Sequence, residues 1–149
     1  MNGKVKKDRV FTFRRGIHPD QQKQFTRNVP INVLLPAAGS EIIIPLLQHL
    51  GAPCEPLVEK GQKVLVGQKI GDKDTLICAP VHSTVSGIVK DIRPYLTVMG
   101  SVVNSIVIEN DGEMAEHDSI KLRSGYDDLS KEEILKIIRE AGIVGLGGA

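Results

Sequence analysis

The chain has 149 residues, and its 19 Lys and Arg against 18 Asp and Glu give a formal net charge of +1 at pH 7. This length allows one domain, or a small domain followed by the beginning of a second. The near-neutral charge creates no overall field to attract nucleic acid, and three Phe, two Tyr and no Trp offer few rings for bases to stack on. We therefore expect no nucleic-acid partner.

Residues 1–30 are polar and locally basic. Within the first fifteen residues, only Asp8 offsets a group of basic side chains: Lys4, Lys6, Lys7, Arg9, Arg14 and Arg15. No apolar segment of the kind that secretory signals carry follows this start. We predict a solvated N-terminal arm, with contact to a partner subunit or to lipid headgroups as the less favoured interpretation.

Residues 31–110 change to short β-rich runs separated by Gly and Pro. The runs predicted to be strands are 31–35, 41–44, 55–58, 63–66, 75–79, 85–92 and 102–110. Many short strands at such spacing are typical of a small sandwich or barrel rather than an open parallel sheet. No stretch of about 20 apolar residues occurs, so the sequence predicts no transmembrane segment.

A helix is predicted after residues 111–129, which have the composition of a linker. Ser130 and Glu133 match the capping box S-x-x-E that starts many helices. The apolar residues that follow share one helical face: Ile134, Ile137, Ile138 and Ala141. Gly142 suits the left-handed position that ends a helix. We predict a helix over about 130–141.

The helix leads into "GIVGLGGA", residues 142–149. Consecutive glycines let backbone N–H groups approach a phosphate or a planar ring without obstruction by Cβ. A solvated tail would hardly contain the apolar Ile143, Val144 and Leu146. We expect this segment to be the beginning of a binding loop, and the chain to be a piece of a longer protein.

A repeated unit lies in "VEKGQKVLVGQKIG", residues 58–71, where Gly-Gln-Lys precedes a β-branched residue twice. It resembles the turn of biotinyl and lipoyl carrier domains, and "APVHSTVSGIVKDI", residues 79–92, resembles their matching half. Carriers hold the modified lysine at an exposed hairpin tip between these halves. Lys73 is the one lysine available there and lacks the flanking motif. The sequence predicts a mainly β, barrel-sandwich hybrid module without a swinging arm; a carrier modified on Lys73 is the alternative.

Five segments occur in a characteristic order along nearly the whole chain. They are "FTFRRGIHP" at 11–19, "PLLQHLGAPCEPLVEKGQKVLVGQKIG" at 45–71, "APVHSTVSGIV" at 79–89, "IVIENDG" at 106–112 and "EEILKIIREAGIVGLGGA" at 132–149. Together they resemble the N-terminal part of the C subunit of the Rnf electron-transport complex, an ion-translocating ferredoxin:NAD oxidoreductase. The same module in an electron-transfer protein serving an amino-acid reductase is a related possibility.

The resemblance implies a domain order and a location. A barrel-sandwich module precedes an α/β flavin and NADH domain, and a segment with two 4Fe-4S clusters follows. We therefore expect an arm at 1–30, the module at 31–110, a linker at 111–129 and the start of the truncated flavin domain at 130–149. The parent would lie on the cytoplasmic, inner face of the cell membrane as a peripheral subunit. Its partners would be the other subunits and, indirectly, ferredoxin.

The resemblance also implies site residues. Gly145, Gly147, Gly148 and Ala149 match the start of a flavin and NADH loop of the form G-x-G-G-A-G-F-P, which the chain does not complete. FMN, NADH and the two clusters are implied for the parent, and no cofactor is expected in this chain. We expect the 149 residues to be inactive alone.

The remaining reactive side chains form no recognisable motif. The histidines and cysteines lack the close spacing of zinc ligands: His18, His49, His82, His117, Cys54 and Cys78. Two buried free thiols are the default for the cysteines, with a disulfide as the alternative. No glycine elbow precedes a serine beside His82. We assign no metal ligand and no catalytic residue.

Overall fold

The computed structural model describes residues 22–120, 125 and 127–145. Two units divide the chain, Met1–Leu34 and Leu35–Ala149. In the described part of the first unit, a short 3-10 helix spans Lys23–Phe25. The strand predicted at 31–35 is wrong, because residues 31–37 have no regular secondary structure. Apolar sequence alone does not make a strand when no neighbouring strand pairs with it.

The second unit is built on antiparallel strands. They are β1 (Glu41–Pro45), β2 (Glu55–Pro56), β3 (Lys63–Val64), β4 (Lys69–Asp72), β5 (Val81–His82), β6 (Gly87–Leu96) and β7 (Val102–Asn110). One sheet has the order β1-β7-β6-β3, and the other has the order β2-β4-β5. Since a single helix, described below, accompanies these strands in the second unit as described, the prediction of a mainly β fold is confirmed.

The two Gly-Gln-Lys units form the same turn twice. Gly61 and Gly67 have φ angles of 88° and 76°, which the absence of a Cβ permits. In each turn the glutamine side chain accepts a hydrogen bond from the backbone N–H three residues earlier, with Gln62 bonding Glu59 and Gln68 bonding Leu65, both at 3.0 Å. Each turn leads directly into a strand, β3 and then β4. The predicted tight turns are confirmed.

Three strand assignments in the middle of the chain differ from the prediction. The run at 75–79 is not a strand, whereas β4 and β5 were not predicted. Residues 75–77 bend, and Leu76 is fully exposed at 100%. Both missed strands are short and pair with each other, Lys69 opposite His82 and Gly71 opposite Val81, while β4 also pairs with β2. Such pairing brings together segments whose own patterns are weak.

The β6–β7 hairpin is longer than the sequence predicts. Its register runs from Gly87 opposite Asn110 to Leu96 opposite Val102, with a bulge between Val89 and Asp91. The strand continues through Pro94, which has no N–H to donate. This is tolerated because β3 pairs with β6 only at Gly87 and Ile88, so no described strand needs an N–H from Pro94 on that edge.

The core between the sheets is aliphatic, as the composition predicts. Its buried residues are Ile44, Leu46, Cys54, Val58, Val64, Ile70, Val81, Val85, Val89, Ile106 and Ile108. Ile42, Cys78, Ile92 and Met114 pack against this cluster. Residues beyond the hairpin join the same unit: the N–H of Val66 donates to Ala115, and that of His117 donates to Val66, both at 2.9 Å.

We expect Gly87→Ala to destabilise the module more than Gly100→Ala. A Cβ at Gly87 would meet the backbone carbonyl of Glu109 well inside van der Waals contact, so the central hairpin must shift. This overpacking should cost about 2 to 3 kcal/mol. Gly100 has a φ of 76° but open space around it, so alanine there should cost about 1 kcal/mol. Urea unfolding of both variants measures the difference, and equal losses would contradict this account of Gly87.

Candidate functional site

The predicted helix is present as α1 (Lys131–Glu140), and its capping box is confirmed. The Ser130 hydroxyl accepts from the backbone N–H of Glu133 at 3.3 Å, and the Glu133 carboxylate accepts from the backbone N–H of Ser130 at 2.8 Å. The helix ends at Ala141, and Gly142 adopts the left-handed conformation with φ 67°. Local sequence therefore determines both ends of this helix.

The C-terminal end of α1 is attached to the β module by an ion pair. Arg139 donates from Nη2 to Asp72 Oδ1 at 3.0 Å and from Nη1 to Asp72 Oδ2 at 3.4 Å. A third bond runs from Nη2 to the carbonyl oxygen of Lys73 at 3.2 Å. Two parallel bonds between a guanidinium and a carboxylate fix orientation as well as distance. Asp72 at the end of β4 thus holds the last turn of the helix.

Lys69 and Glu140 complete a cluster of four alternating charges. Lys69 Nζ lies 3.1 Å from Asp72 Oδ2 and also pairs with Glu140, which accepts from Arg139 at 2.9 Å. Burial disfavours the charged form of Asp72, but the bonds from Arg139 and Lys69 outweigh it and hold the pKa of this carboxyl below its ordinary value. The bond from Lys69 likewise lowers the pKa of Glu140. Both carboxylates are therefore charged at neutral pH.

The segment after α1 lies against β5. A Cβ on Gly142 would come within 2.5 Å of the carbonyl oxygen of Pro80 and 3.4 Å of His82 Nδ1. Burial, followed by the nearby positive charge of Lys69, lowers the pKa of His82. His82 is therefore neutral at pH 7. Glycine at 142 is needed both for its backbone conformation and for this close approach.

An apolar groove opens beside the charged cluster. Its cavity volume is about 540 Å³, and its main apolar residues are Leu50, Leu76, Ile77, Leu135, Ile138 and Ile143. Arg139 and Gly145 also line it. The helix thus docks through its polar end, while much of its apolar face stays exposed. Of the four predicted loop residues, only Gly145 is described, and it is exposed; Gly147, Gly148 and Ala149 lie outside the described residues.

Two of the described histidines, His49 and His117, have ordinary structural partners. His49 Nε2 accepts from the backbone N–H of Ala79 at 3.2 Å, and His117 Nδ1 lies 2.8 Å from the Ser119 hydroxyl. His49 and His82 both line a second cavity of about 370 Å³. Within the described ranges, no group of three His, Cys, Asp or Glu side chains could hold a metal ion. His18 lies outside these ranges, and the absence of a metal remains a prediction.

Lys73 does not stand at the tip of an exposed hairpin. It directly follows β4, and its Nζ lies 2.9 Å from Glu55 Oε1. Its backbone N–H donates to Asp72 and its carbonyl accepts from Arg139. A carrier lysine must instead reach out to a modifying enzyme. The position of Lys73 therefore argues against the carrier alternative.

We expect Arg139→Gln to loosen α1 without unfolding the β module. Loss of the paired bonds to Asp72 should cost about 1 kcal/mol locally, since the arginine is half-exposed, and should make amide exchange in 131–140 about fivefold faster. Lys136→Gln is the matched control, because Lys136 is exposed on the same helix and forms no ion pair within the described part of the chain. Hydrogen exchange of both variants provides the measurement; similar exchange rates in the two would contradict docking by Arg139.

Acidification should remove the same attachment. Since the folded pKa values of Asp72 and Glu140 lie below their ordinary values of 3.8 and 4.5, their contribution to stability is complete above those values. It is lost as the pH falls through the lower, folded pKa values. We expect the difference in helix protection between the original chain and Arg139→Gln to disappear between about pH 5 and pH 2. A difference that persists at the acidic end would show that carboxylate pairing is not its source.

Comparison with known sequences identifies the module. Residues 11–113 match the family described as the RnfC barrel sandwich hybrid domain. The predicted barrel-sandwich hybrid fold is therefore confirmed. Within the described part of the chain, no helix has the length and apolar character needed to cross a membrane.

Curated relatives extend this match to nearly the whole chain. The chain is 42% identical over 138 residues to the C subunit of the proton-translocating ferredoxin:NAD(+) oxidoreductase complex of Clostridium ljungdahlii, covering 93% of the chain and 30% of that protein. It is 41% identical to the Na(+)-translocating counterpart of Acetobacterium woodii, covering 93% of the chain and 31% of that protein. The C subunit of the ion-translocating oxidoreductase complex of Haemophilus influenzae is 35% identical, with 95% and 22% covered.

The chain thus spans less than a third of the length of these relatives. The Clostridium relative is named as proton-translocating and the Acetobacterium relative as Na(+)-translocating, yet their identities to this chain are nearly equal. Sequence identity in this region therefore does not indicate the coupling ion. All three are named as the C subunit of an oxidoreductase complex. The match of residues 11–113 covers more than half of the chain and shows that it belongs to the RnfC family and contains that family's barrel-sandwich hybrid domain.

Proposed function

We propose that the chain is the N-terminal module of an electron-transport subunit that passes electrons between NADH and ferredoxin. The observation that carries this proposal is family membership, together with relatives named as the C subunit of ferredoxin:NAD(+) oxidoreductase complexes. Electron transfer itself is assigned to groups outside these 149 residues. The module acts as a structural mount for the part of the protein that follows α1.

The charged cluster supports this role as a mount. Asp72 belongs to the β module, and the paired bonds from Arg139 hold the last turn of α1 against it. Gly142 then lies against Pro80 and His82, so the chain leaves the module at a defined place. Whatever follows Gly145 starts from a position that the β module determines. A catalytic domain attached there would begin at a fixed position and in a fixed direction relative to the module.

Flavin is assigned to the following domain rather than to this module. The cations beside the apolar groove, Lys69 and Arg139, already pair with Asp72 and Glu140, so they are not free to bind a phosphate. We propose that Gly145, Gly147, Gly148 and Ala149 supply the first part of a loop for FMN and NADH. When bound, FMN would accept the hydride of NADH and release single electrons.

The iron-sulfur clusters are likewise assigned elsewhere. A 4Fe-4S cluster requires four Cys thiolates, and this chain has two. The described cysteines also form no group with other ligands that could hold a metal. The residues present do not fit such a cluster, and no electron-transfer step is placed on them.

The proposed partners are the other subunits of a membrane electron-transport complex, with ferredoxin served indirectly. The names of the relatives support the complex, since each is described as one lettered subunit of such an assembly. We propose a peripheral position on the cytoplasmic, inner face of the cell membrane. The same module in a protein that serves an amino-acid reductase remains the related alternative. The carrier alternative is less favoured because Lys73 pairs with Glu55.

We expect the 149-residue chain to bind neither FMN nor NADH, and the full-length protein to bind FMN and oxidise NADH with an artificial acceptor. A short glycine loop cannot offset the entropy of ordering it, about 1 to 2 kcal/mol per residue, without the rest of a site. Calorimetry with each ligand tests the short chain. Tight flavin binding by the short chain would contradict the proposal.

A second experiment measures NADH oxidation by glycine variants of the full-length protein. Gly147→Val or Gly148→Val should lower NADH oxidation about 100-fold by displacing the flavin. Gly100→Ala, in the β6–β7 turn, is the control and should leave the rate unchanged, because open space surrounds Gly100. Full activity of both valine variants would overturn the assignment of the loop. Ferredoxin reduction by the assembled complex separates the favoured function from the amino-acid reductase alternative.

A further inference from the structure

Cys54 and Cys78 lie together although 24 positions separate them in the chain. Their sulfur atoms are 3.4 Å apart, and both cysteines are free. Cys54 is 5% exposed and belongs to the core, whereas Cys78 is half-buried and lines the apolar groove. One thiol is therefore inside the fold, and its neighbour can be reached from the groove.

The backbone around both cysteines is held in place by several bonds. The N–H of Cys54 donates to Leu46 at 2.8 Å, and the N–H of Ala52 donates to Ile77 at 3.0 Å. The N–H of Ala79 donates to the ring of His49. The last two of these bonds join the segment 49–54 directly to the segment 77–79. The closeness of the two sulfurs thus follows from the fold and not from free side-chain rotation.

Two hydrogen-bond contacts describe the surroundings of the two sulfurs. Cys54 donates its S–H to the carbonyl oxygen of Ala79 at 3.1 Å. The 3.4 Å contact between the two sulfurs places the thiols side by side, and either thiol can be its donor. A disulfide requires a sulfur separation of about 2.05 Å, so the sulfurs must approach by about 1.4 Å. Small side-chain rotations supply such a movement.

We propose that Cys54 and Cys78 are a redox modification site, which forms a reversible intramolecular disulfide by exchange with a low-molecular-weight disulfide. In the first step the Cys78 thiolate attacks the small disulfide, forming a mixed disulfide and releasing one small thiolate. In the second step Cys54 loses its proton to solvent and attacks the sulfur of Cys78, releasing the second thiolate. Two protein thiols are oxidised to one disulfide, and one small disulfide is reduced to two thiols, which take up the protons lost by the cysteines.

The order of the steps follows from the two environments. Burial, and then the neighbouring Cys78, raise the pKa of the Cys54 thiol to about 12, so it stays protonated at neutral pH. A protonated, buried thiol reacts slowly with a disulfide in solution. Attack on Cys78 is different, because the two sulfurs are already held 3.4 Å apart inside the fold. Cys78 faces the groove and therefore reacts first, while Cys54 resolves the mixed disulfide.

The disulfide would act on the apolar groove. Cys78 directly follows Leu76 and Ile77, which are exposed and form one wall of that groove. A covalent bond from Cys78 to the core residue Cys54 would restrain this wall. Oxidation would thus alter a surface that the fold leaves available, without changing the charged cluster that attaches α1.

The test incubates the native 149-residue chain with oxidised glutathione at pH 8, followed by intact-mass measurement after N-ethylmaleimide treatment. The original chain should lose two hydrogen atoms, form no disulfide-linked dimer and take up no maleimide. Cys54→Ser should gain one stable glutathionyl group on Cys78, because the resolving thiol is missing. Cys78→Ser should gain none while folded, because Cys54 is buried. Cys54→Ala serves as a second variant if the buried serine prevents folding.

Each alternative result decides against the proposal. Two free thiols in the treated original chain, a persistent mixed disulfide or a disulfide-linked dimer would overturn the intramolecular bond. Glutathionylation of Cys78→Ser as fast as that of Cys54→Ser would overturn the order of the steps. Hydrogen exchange provides an independent readout, since the oxidised original chain should gain protection at 74–78 and the glutathionylated Cys54→Ser variant should not.

Discussion

Strand β7 is the element on which the rest of the module depends. It lies between β1 and β6, so its backbone is paired on both edges. Four consecutive residues in it, 105–108, are buried, which means that both faces of the strand are covered. At its end, the buried Asn110 side chain donates to the carbonyls of Pro36 and Ala37 at 3.1 Å. Removing this strand would separate β1 from β6 and open the core.

The second sheet serves a different purpose. It is built from the short strands β2, β4 and β5, and the turn at Gly67 directs the chain into β4, as the equivalent turn at Gly61 directs it into β3 of the larger sheet. Such short strands contribute few backbone bonds, but they place Asp72 at the point where α1 arrives. Residues of the same sheet and its flanking segments also position His82 and Cys54. The smaller sheet thus carries Lys69 and Asp72 of the charged cluster, while the larger sheet supplies most of the strand pairing.

Helix α1 is attached to the β module mainly by polar contacts, which is unusual for a helix that packs on a sheet. Most helices are held by an apolar face, whose burial supplies the stability. Here the described contacts are chiefly polar and lie at the last turn, and Leu135 and Ile138 stay exposed. A polar attachment fixes direction through paired bonds while it contributes modestly to stability. This is consistent with a mount whose apolar surface is available to other parts of a larger assembly.

The sequence by itself determined the features that depend on neighbours along the chain. The capping box of Ser130 and Glu133, the helix end at Gly142 and the two Gly-Gln-Lys turns all form within a few residues, so their patterns are reliable. The family resemblance was also readable, because it rests on ordered motifs. Only the tertiary structure decided which apolar runs become strands: 31–35 does not, and the weakly patterned 69–72 does, because pairing requires a partner from elsewhere in the chain. It alone also brought Arg139 to Asp72 and Cys54 to Cys78, since contacts between distant segments depend on how the sheets pack and leave no pattern in local sequence.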